Sequence, residues 1–169
     1  MMLELLALVV FAGLLVYAAC TDVASLTIPN WVSIALAALF VPIALLTRMP
    51  LNEIGVHLLF GFGLLAVGFF LFQANVIGGG DAKLLAGAAV WTGFTAFLPF
   101  IVWTTMAGGV VALALLYARK WFIPTPARPE FVNRLLTPKS GVPYGVAIMM
   151  GGLMALPSLP FAEHALTLP

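Results

Sequence analysis

Apolar residues fill most of the chain in long runs, and short segments rich in proline, glycine, asparagine or charge separate these runs. A run of about 20 apolar residues is long enough to cross a bilayer as an α-helix. The pattern predicts six such helices, near Leu3–Cys20, Trp31–Thr47, Ile54–Phe72, Leu84–Leu98, Phe100–Ala118 and Val142–Phe161. We therefore expect an all-α, polytopic membrane protein in which residues 1–169 form a single transmembrane domain.

The fourth and fifth spans form one continuous apolar run, and their separation depends on Pro99. Proline lacks a backbone hydrogen-bond donor and clashes with the preceding helical turn, so it commonly ends a helix. We expect a tight hairpin at this residue. A single tilted helix through the same run would leave five spans and invalidate the orientation given below.

The composition excludes a water-soluble domain. Of the 169 residues, 63% are hydrophobic and 8% are charged, whereas soluble domains carry about 25% charged residues. The net charge of +1 gives no indication of nucleic acid binding. The lone cysteine, Cys20, excludes an internal disulfide bond and a cysteine-rich zinc site.

The distribution of basic residues predicts the orientation. With six spans, the connections 21–30, 73–83 and 119–141 lie on one side of the membrane, and both termini lie on the other. The first side holds six of the seven basic residues, and the second side holds Arg48. The six are Lys83, Arg119, Lys120, Arg128, Arg134 and Lys139. Because lysine and arginine are enriched in cytoplasmic loops, we expect the first side to be cytoplasmic and both termini to lie outside the cytoplasm. The membrane would then be the inner (cytoplasmic) membrane of the cell.

The connection 119–141 is the longest polar stretch and is predicted to be a cytoplasmic loop. Its segment 129–136 combines Phe131 and two leucines with polar residues at helical spacing, which is typical of a short helix at the membrane interface. The alternative is a plain basic loop that maintains the topology and touches anionic lipid.

Two aspartates lie at the ends of apolar runs. Asp22 follows the first span, and Asp81 precedes the fourth span 59 positions later. The orientation places both at the cytoplasmic face, where helices one and four could bring them together. A carboxylate at membrane depth is costly and by default indicates function. Taken separately, Asp22 could be an ordinary boundary residue, and Asp81 could be a helix N-terminal residue stabilised by the macrodipole.

Two adjoining carboxylates cannot both ionise easily, so they share a proton. The ionised partner can take a proton from water while the neutral partner donates a hydrogen bond to a peptide carbonyl, which is general acid–base hydrolysis. This chemistry needs no metal and no bound cofactor. A metal site fits less well, because two carboxylates are too few ligands. In addition, His57 and His164 are predicted on the opposite side, as interfacial residues.

Other candidate residues lie near the aspartates. Gly78-Gly79-Gly80 is predicted to lie outside any helix, because glycine disfavours helix; it could pair with an extended peptide or form a plain turn. Lys83 could anchor a substrate or tune the local field, or it could only mark the membrane boundary. Asn30 is predicted to cap the second helix. Tyr144, beside Gly145, could hydrogen-bond into the site, although tyrosine is common at membrane interfaces.

Together, these motifs resemble those of the type IV prepilin peptidases, the bacterial members of the GxGD aspartyl proteases. An aspartate after the first helix, followed by Ile-Pro-Asn, matches Asp22 and Ile28-Pro29-Asn30. The Gly-x-Gly-Asp-x-Lys-Leu signature matches residues 78–84, and a late Pro-Tyr-Gly matches residues 143–145. The resemblance runs through almost the whole chain.

The resemblance implies a function. Family members remove a short basic leader from a prepilin at the cytoplasmic membrane face, and the cut usually follows a glycine just ahead of the pilin's hydrophobic helix. The resemblance therefore implies that Asp22 and Asp81 are catalytic. The substrate would then be a prepilin or pseudopilin, and the pilus assembly machinery is a candidate partner. Larger members carry a domain between the first two helices and also methylate the product. The connection 21–30 is too short for that domain, so we expect no N-methyltransferase activity. The chain resembles the compact branch of the family that is associated with tight-adherence (Flp) pili. Because archaeal preflagellin peptidases are also compact, a preflagellin remains an alternative substrate.

Two other function classes compete with a peptidase. A proton- or ion-coupled transporter could use the same aspartate pair as a relay, although the second, third and fifth predicted spans offer almost no polar residues for a path. A non-catalytic scaffold of a secretion machine would not need the carboxylates at all.

Overall fold

The structure is a computed structural model that describes residues 2–138 and 140–162. Its helices are α1 (Met2–Ser25), α2 (Asn30–Leu46), α3 (Leu51–Gln73), α4 (Gly79–Thr92), α5 (Phe97–Trp121), α6 (Glu130–Leu136) and α7 (Tyr144–Ala155), with a 3₁₀ turn at Leu156–Ser158. The described residues contain no β-strand, so the all-helical prediction is confirmed. Two residues used in the sequence arguments, Lys139 and His164, lie outside the described residues.

The helices differ in how well they suit a membrane. The long helices α1, α3 and α5 are apolar enough to cross a bilayer, whereas α2 and α7 are apolar but shorter. Helix α4 has 14 residues, nine of them buried within the protein. Six spans with both termini outside the cytoplasm therefore stay a prediction.

Helices α4 and α5 separate at a different residue from the one predicted. The chain turns at residues 93–96, and Gly93 ends α4 with a φ of +55°, a conformation that favours glycine. A Cβ at this position would also clash with the imidazole of His57. Pro99 is instead the third residue of α5. A proline is tolerated there because backbone N–H groups in the first turn of a helix have no partner within the helix.

Two short helices occupy the centre of the bundle. Helix α4 packs against both α2 and α3, α7 packs against both α1 and α5, and α4 and α7 contact each other. Glycines make these close packings possible: a Cβ on Gly151 would clash with Thr104 of α5, and one on Gly152 would clash with Leu15 of α1. Small residues at helix contacts are typical of membrane proteins, because they allow the backbones to approach.

An aromatic cluster fills the core at the end of the bundle away from the aspartates. The ring of Trp91 lies 5.4–5.9 Å from those of Phe11, Phe40 and Phe161, and its Nε1–H donates a 2.8 Å hydrogen bond to the Leu36 carbonyl. His57 stacks on Phe40, and its Nδ1 donates to the Val90 carbonyl at 2.7 Å. His57 thus lies at the end of the bundle away from the aspartates, as predicted, but its side chain is buried within the protein; its depth in the bilayer stays a prediction.

Candidate active site

Three connections between helices converge at one end of the bundle and line a cavity of about 560 Å³. They are the α1–α2 connection at residues 26–29, the α3–α4 connection at residues 74–78, and the end of the long segment between α5 and α7. Six of the eight predicted site residues line this cavity: Asp22, Gly78, Gly79, Gly80, Asp81 and Tyr144. The fold therefore brings helices α1 and α4 to one polar site.

Asp22 lies in the last turn of α1, because this helix continues to Ser25, beyond the predicted end of the span at Cys20. The side chain is buried, and its Oδ2 accepts a 2.6 Å hydrogen bond from the backbone amide of Gly145. That amide is available because Gly145 lies in the first turn of α7, where N–H groups have no helical partner. A Cβ on Gly145 would lie 2.9 Å from the Asp22 carboxylate oxygen, so a glycine is needed for this contact.

Asp81 lies in the first turn of α4, ahead of the predicted span Leu84–Leu98. Burial, and second the charge of Asp22, raise the pKa of the Asp81 carboxyl from 3.8 to about 6, although a hydrogen bond from the Gly78 backbone lowers it. The effect of the Asp22 charge indicates that the two carboxyl groups lie close enough to interact electrostatically. Asp81 therefore holds its proton far closer to neutral pH than an ordinary aspartate does.

The three glycines beside Asp81 do not form the predicted loop. Gly78 is the N-cap residue in extended conformation, and Gly79 and Gly80 are the first two residues of α4. A Cβ on Gly80 would lie 3.3 Å from Ile28, and one on Gly79 would lie 3.3 Å from the Phe72 ring. Close packing against these residues outweighs the low helix propensity of glycine, which is about 1 kcal/mol per residue.

Lys83 and Asn30 form a contact that the sequence did not predict. The Lys83 Nζ donates a 3.0 Å hydrogen bond to Asn30 Oδ1, which ties α4 to α2, and Lys83 lies outside the cavity wall. The predicted capping role of Asn30 is wrong. Pro29 occupies the N-cap position of α2, and no side chain caps this helix.

Two arginines fasten the segment between α5 and α7 above the cavity. Arg119 donates through Nε to the Leu135 carbonyl at 2.8 Å and through Nη2 to the Gly141 carbonyl at 2.9 Å. Arg134, on α6, donates to the Ala24 carbonyl near the end of α1 at 2.8 Å. The predicted short helix within 129–136 is confirmed as α6. The sequence identified the arginines only as positive charges, because nothing local indicates their carbonyl partners.

The end of α3 supplies wall residues that the sequence analysis did not single out. Phe72, Asn75 and Val76 line the cavity. Asn75 has a φ of +56°, and the amide of Val76 donates to the Leu71 carbonyl at 2.9 Å, which closes the C-terminus of the helix. Asparagine adopts this left-handed conformation more readily than most residues. Asn75, just after an apolar run, could therefore have predicted the end of this helix from the sequence.

The site offers two interacting carboxyl groups and many backbone groups. Within the described residues, no group of three His, Cys, Asp or Glu side chains lies close enough to hold a metal ion. Each carboxyl group has a backbone hydrogen-bond donor, Gly145 for Asp22 and Gly78 for Asp81, and the charge of Asp22 helps to raise the pKa of Asp81, so the pair can hold a single proton. A pair in this state can act as acid and base on one substrate.

A comparison with known protein families matches the part of the chain that holds both aspartates. A sequence model of the type IV leader peptidase family matches residues 9–113. The matched segment includes Asp22, Asp81 and the glycines at the start of α4, whereas Tyr144 and Gly145 follow it. No curated protein and no solved structure matches the chain significantly.

Proposed function

Because the chain belongs to the type IV leader peptidase family, we propose that it is a membrane aspartic endopeptidase that removes the leader of prepilins or pseudopilins. The observation that carries the proposal is the cavity that Asp22 and Asp81 both line, within the matched segment. The whole chain would then be one peptidase domain that works without a metal or cofactor.

The surroundings of the two carboxyl groups suggest their roles. The Gly145 amide stabilises an ionised Asp22, and the raised pKa of Asp81 favours its protonated form. In the proposed reaction, Asp22 takes a proton from water as the water oxygen attacks the peptide carbonyl carbon, and Asp81 protonates the carbonyl oxygen. When the C–N bond breaks, Asp22 gives its proton to the leaving nitrogen. Asp81 recovers a proton from the diol as the new carboxyl group forms.

The cavity wall suits an extended peptide. Gly78 is extended, with φ −69° and ψ 145°, and the neighbouring residues Val76 and Ile77 also line the cavity. A scissile bond within a helix would have its carbonyl engaged in a helical hydrogen bond. We therefore propose that the substrate unwinds and pairs with this segment, that Gly79, Gly80 and Tyr144 contact it, and that Gly145 positions Asp22.

The basic residues support a cytoplasmic position for the site. Lys83, Arg119 and Arg134 lie at the cavity end of the bundle, and Arg48 lies at the other end, beside Glu53. By the positive-inside rule, the cavity would face the cytoplasm from a multi-pass protein of the inner membrane. The pilus assembly machinery is the proposed recipient of the product.

The short connection between α1 and α2 also concerns N-methylation of the product, the second reaction that larger family members carry out. Only residues 26–29 connect α1 and α2, which is too short for the domain that those relatives carry there. We therefore propose cleavage without N-methylation of the product.

Processing of a co-expressed prepilin tests the proposal. We expect the wild-type chain to shorten the prepilin, and Asp22→Asn and Asp81→Asn to reduce cleavage by about 10²–10⁴-fold, the usual share of acid–base catalysis. Glu53→Gln, an exposed carboxyl at the opposite end, should process normally. Normal processing by either aspartate variant would contradict the dyad. Proton flux in proteoliposomes without any cleavage would favour the transporter instead.

A further inference from the structure

A second depression on the bundle adjoins the cavity. It is an apolar groove of about 420 Å³ between α2 and α3, with α4 as its floor. Small residues of α4 leave the space: Ala86 and Gly87 face the groove, and Leu58 and Leu65 of α3 form one wall. Ile34 of α2, which is 65% exposed, stands at its rim. The groove therefore opens sideways, away from the helix bundle.

The groove and the cavity share a boundary. Asn30 lines both, and Lys83 lines the groove while it donates to Asn30. On α4, Asp81 and Lys83 are two residues apart and point about 200° apart around the helix axis. Asp81 therefore faces the cavity and Lys83 faces the groove, so a peptide that leaves the cavity past Asn30 enters the groove directly.

We propose that this groove binds the apolar helix that follows the scissile bond of the substrate, an inference that rests on the proposed function. From Asn30 to Ala37, the groove follows α2 for seven residues, or about 10 Å at 1.5 Å per residue. That length accommodates the first two turns of a helix. The substrate helix would begin at the Lys83–Asn30 pair and run parallel to α2 and α4.

The chemistry of the groove favours a peptide helix over a lipid chain. Ser33 lines the groove and is buried, and its hydroxyl has no hydrogen-bond partner among the described residues. Serine hydroxyls in membrane helices commonly bond across to a neighbouring helix. The hydroxyl oxygen itself is not exposed to the groove, so a bound helix would reach it only after rotation of the Ser33 side chain. A peptide helix then offers oxygen acceptors to this hydroxyl, whereas an acyl chain offers none. The groove also adjoins the cavity that holds the two carboxyl groups, so one peptide could be cleaved in the cavity while its helix is bound in the groove.

Neighbouring alanines provide a matched test. Ala37 lines the groove, whereas Ala38 is exposed on the same helix and lines neither groove nor cavity. The probes are a synthetic peptide with a basic leader, a glycine and a 20-residue apolar helix, and the same peptide truncated a few residues after the scissile bond, which keeps the bond and removes the helix. We expect Ala37→Phe to raise KM about tenfold for the long peptide only, with kcat nearly unchanged. Ala38→Phe should behave as the wild type does with both peptides.

Crosslinking detects the contact without needing cleavage. In a Cys20→Ser background, Ala37→Cys should form a disulfide with a cysteine in the second turn of the peptide helix, and Ala38→Cys should not. An unchanged KM in Ala37→Phe together with equal crosslinking of both cysteines would overturn the groove proposal, as would equal effects on the two peptides. If the wild type cuts neither peptide, the proposed function fails, and the crosslink alone decides whether the helix binds.

Discussion

The carboxyl groups of Asp22 and Asp81 share a cavity but differ in their partners. Asp22 is buried and accepts a hydrogen bond from an amide of α7, whereas Asp81 is partly exposed and accepts one from the Gly78 backbone at the start of its own helix, α4. The Asp22 partner, Gly145, is 123 positions away in sequence. The spacing of polar residues could predict which aspartates matter, but not which amide would orient one of them.

The raised pKa of Asp81 predicts an acidic pH dependence. Because Asp81 must be protonated to act as the acid, kcat/KM should fall as pH rises above about 6, by up to tenfold per unit. Since its pKa is higher in the folded state than the 3.8 of the free group, folding binds a proton, and stability is lost as pH rises from about 4 to 6. Cleavage assays and thermal melts of the detergent-solubilised protein between pH 4 and 8 measure both effects.

Asp81→Asn is the control for the pH dependence. It should reduce the loss of stability between pH 4 and 6, since an amide at position 81 does not titrate. A melting temperature whose pH dependence is unchanged in this variant would contradict the role given to Asp81.

Gly145→Ala should separate the positioning of Asp22 from its charge. The added Cβ would lie 2.9 Å from the carboxylate of Asp22, so either the side chain or the start of α7 must move. A displacement of about 1 Å can reduce catalysis about 10²-fold, and we expect a loss of that order in prepilin cleavage. Gly109→Ala, where nothing lies within 4 Å, should cleave normally. Wild-type rates for Gly145→Ala would mean that the Asp22–Gly145 contact is not needed.

At the scale of elements, the long segment between α5 and α7 depends on Arg119. Replacing Arg119 with methionine removes both hydrogen bonds, to the Leu135 and Gly141 carbonyls. We expect prepilin cleavage to fall about tenfold and the segment to become more sensitive to protease, because each bond to a charged group contributes about 1.5–3 kcal/mol. Lys120→Met, the same change at the exposed neighbour, should have neither effect. Unchanged proteolysis of the Arg119 variant would show that other contacts hold the segment.

The sequence predicted elements more reliably than it predicted their ends. Six apolar runs became six helices, but the break between α4 and α5 lies at Gly93 rather than Pro99. Proline breaks the interior of a helix but is tolerated in the first turn, and the sequence alone does not say which of these positions Pro99 occupies. The positive φ of Gly93 and its tertiary contact with His57 together explain why a glycine is required at the turn. For the same reason, Asn30 bonds to Lys83 on another helix instead of capping its own.

For the molecule as a whole, helix packing could not be read from periodicity. Helix α4 is buried on nearly every face, with consecutive buried residues from Ala86 to Thr92. A helix that is apolar all round has no single face to identify its neighbours. The arrangement of α4 between α2 and α3 places Asp81 in the cavity and creates the groove beside it. The site therefore follows from the whole bundle as much as from its motifs.

The predicted orientation requires that three spans separate residues 52 and 125. In a Cys20→Ser background, we expect a membrane-impermeant maleimide to label Asn52→Cys in intact spheroplasts, and Thr125→Cys only after permeabilisation; both positions are exposed. Labelling of both from outside would mean that α4 does not cross the membrane, since α3 and α5 alone would return the chain to the same side. Labelling of Thr125→Cys alone from outside would place the cavity there. That outcome would contradict cytoplasmic cleavage while leaving the carboxyl pair intact.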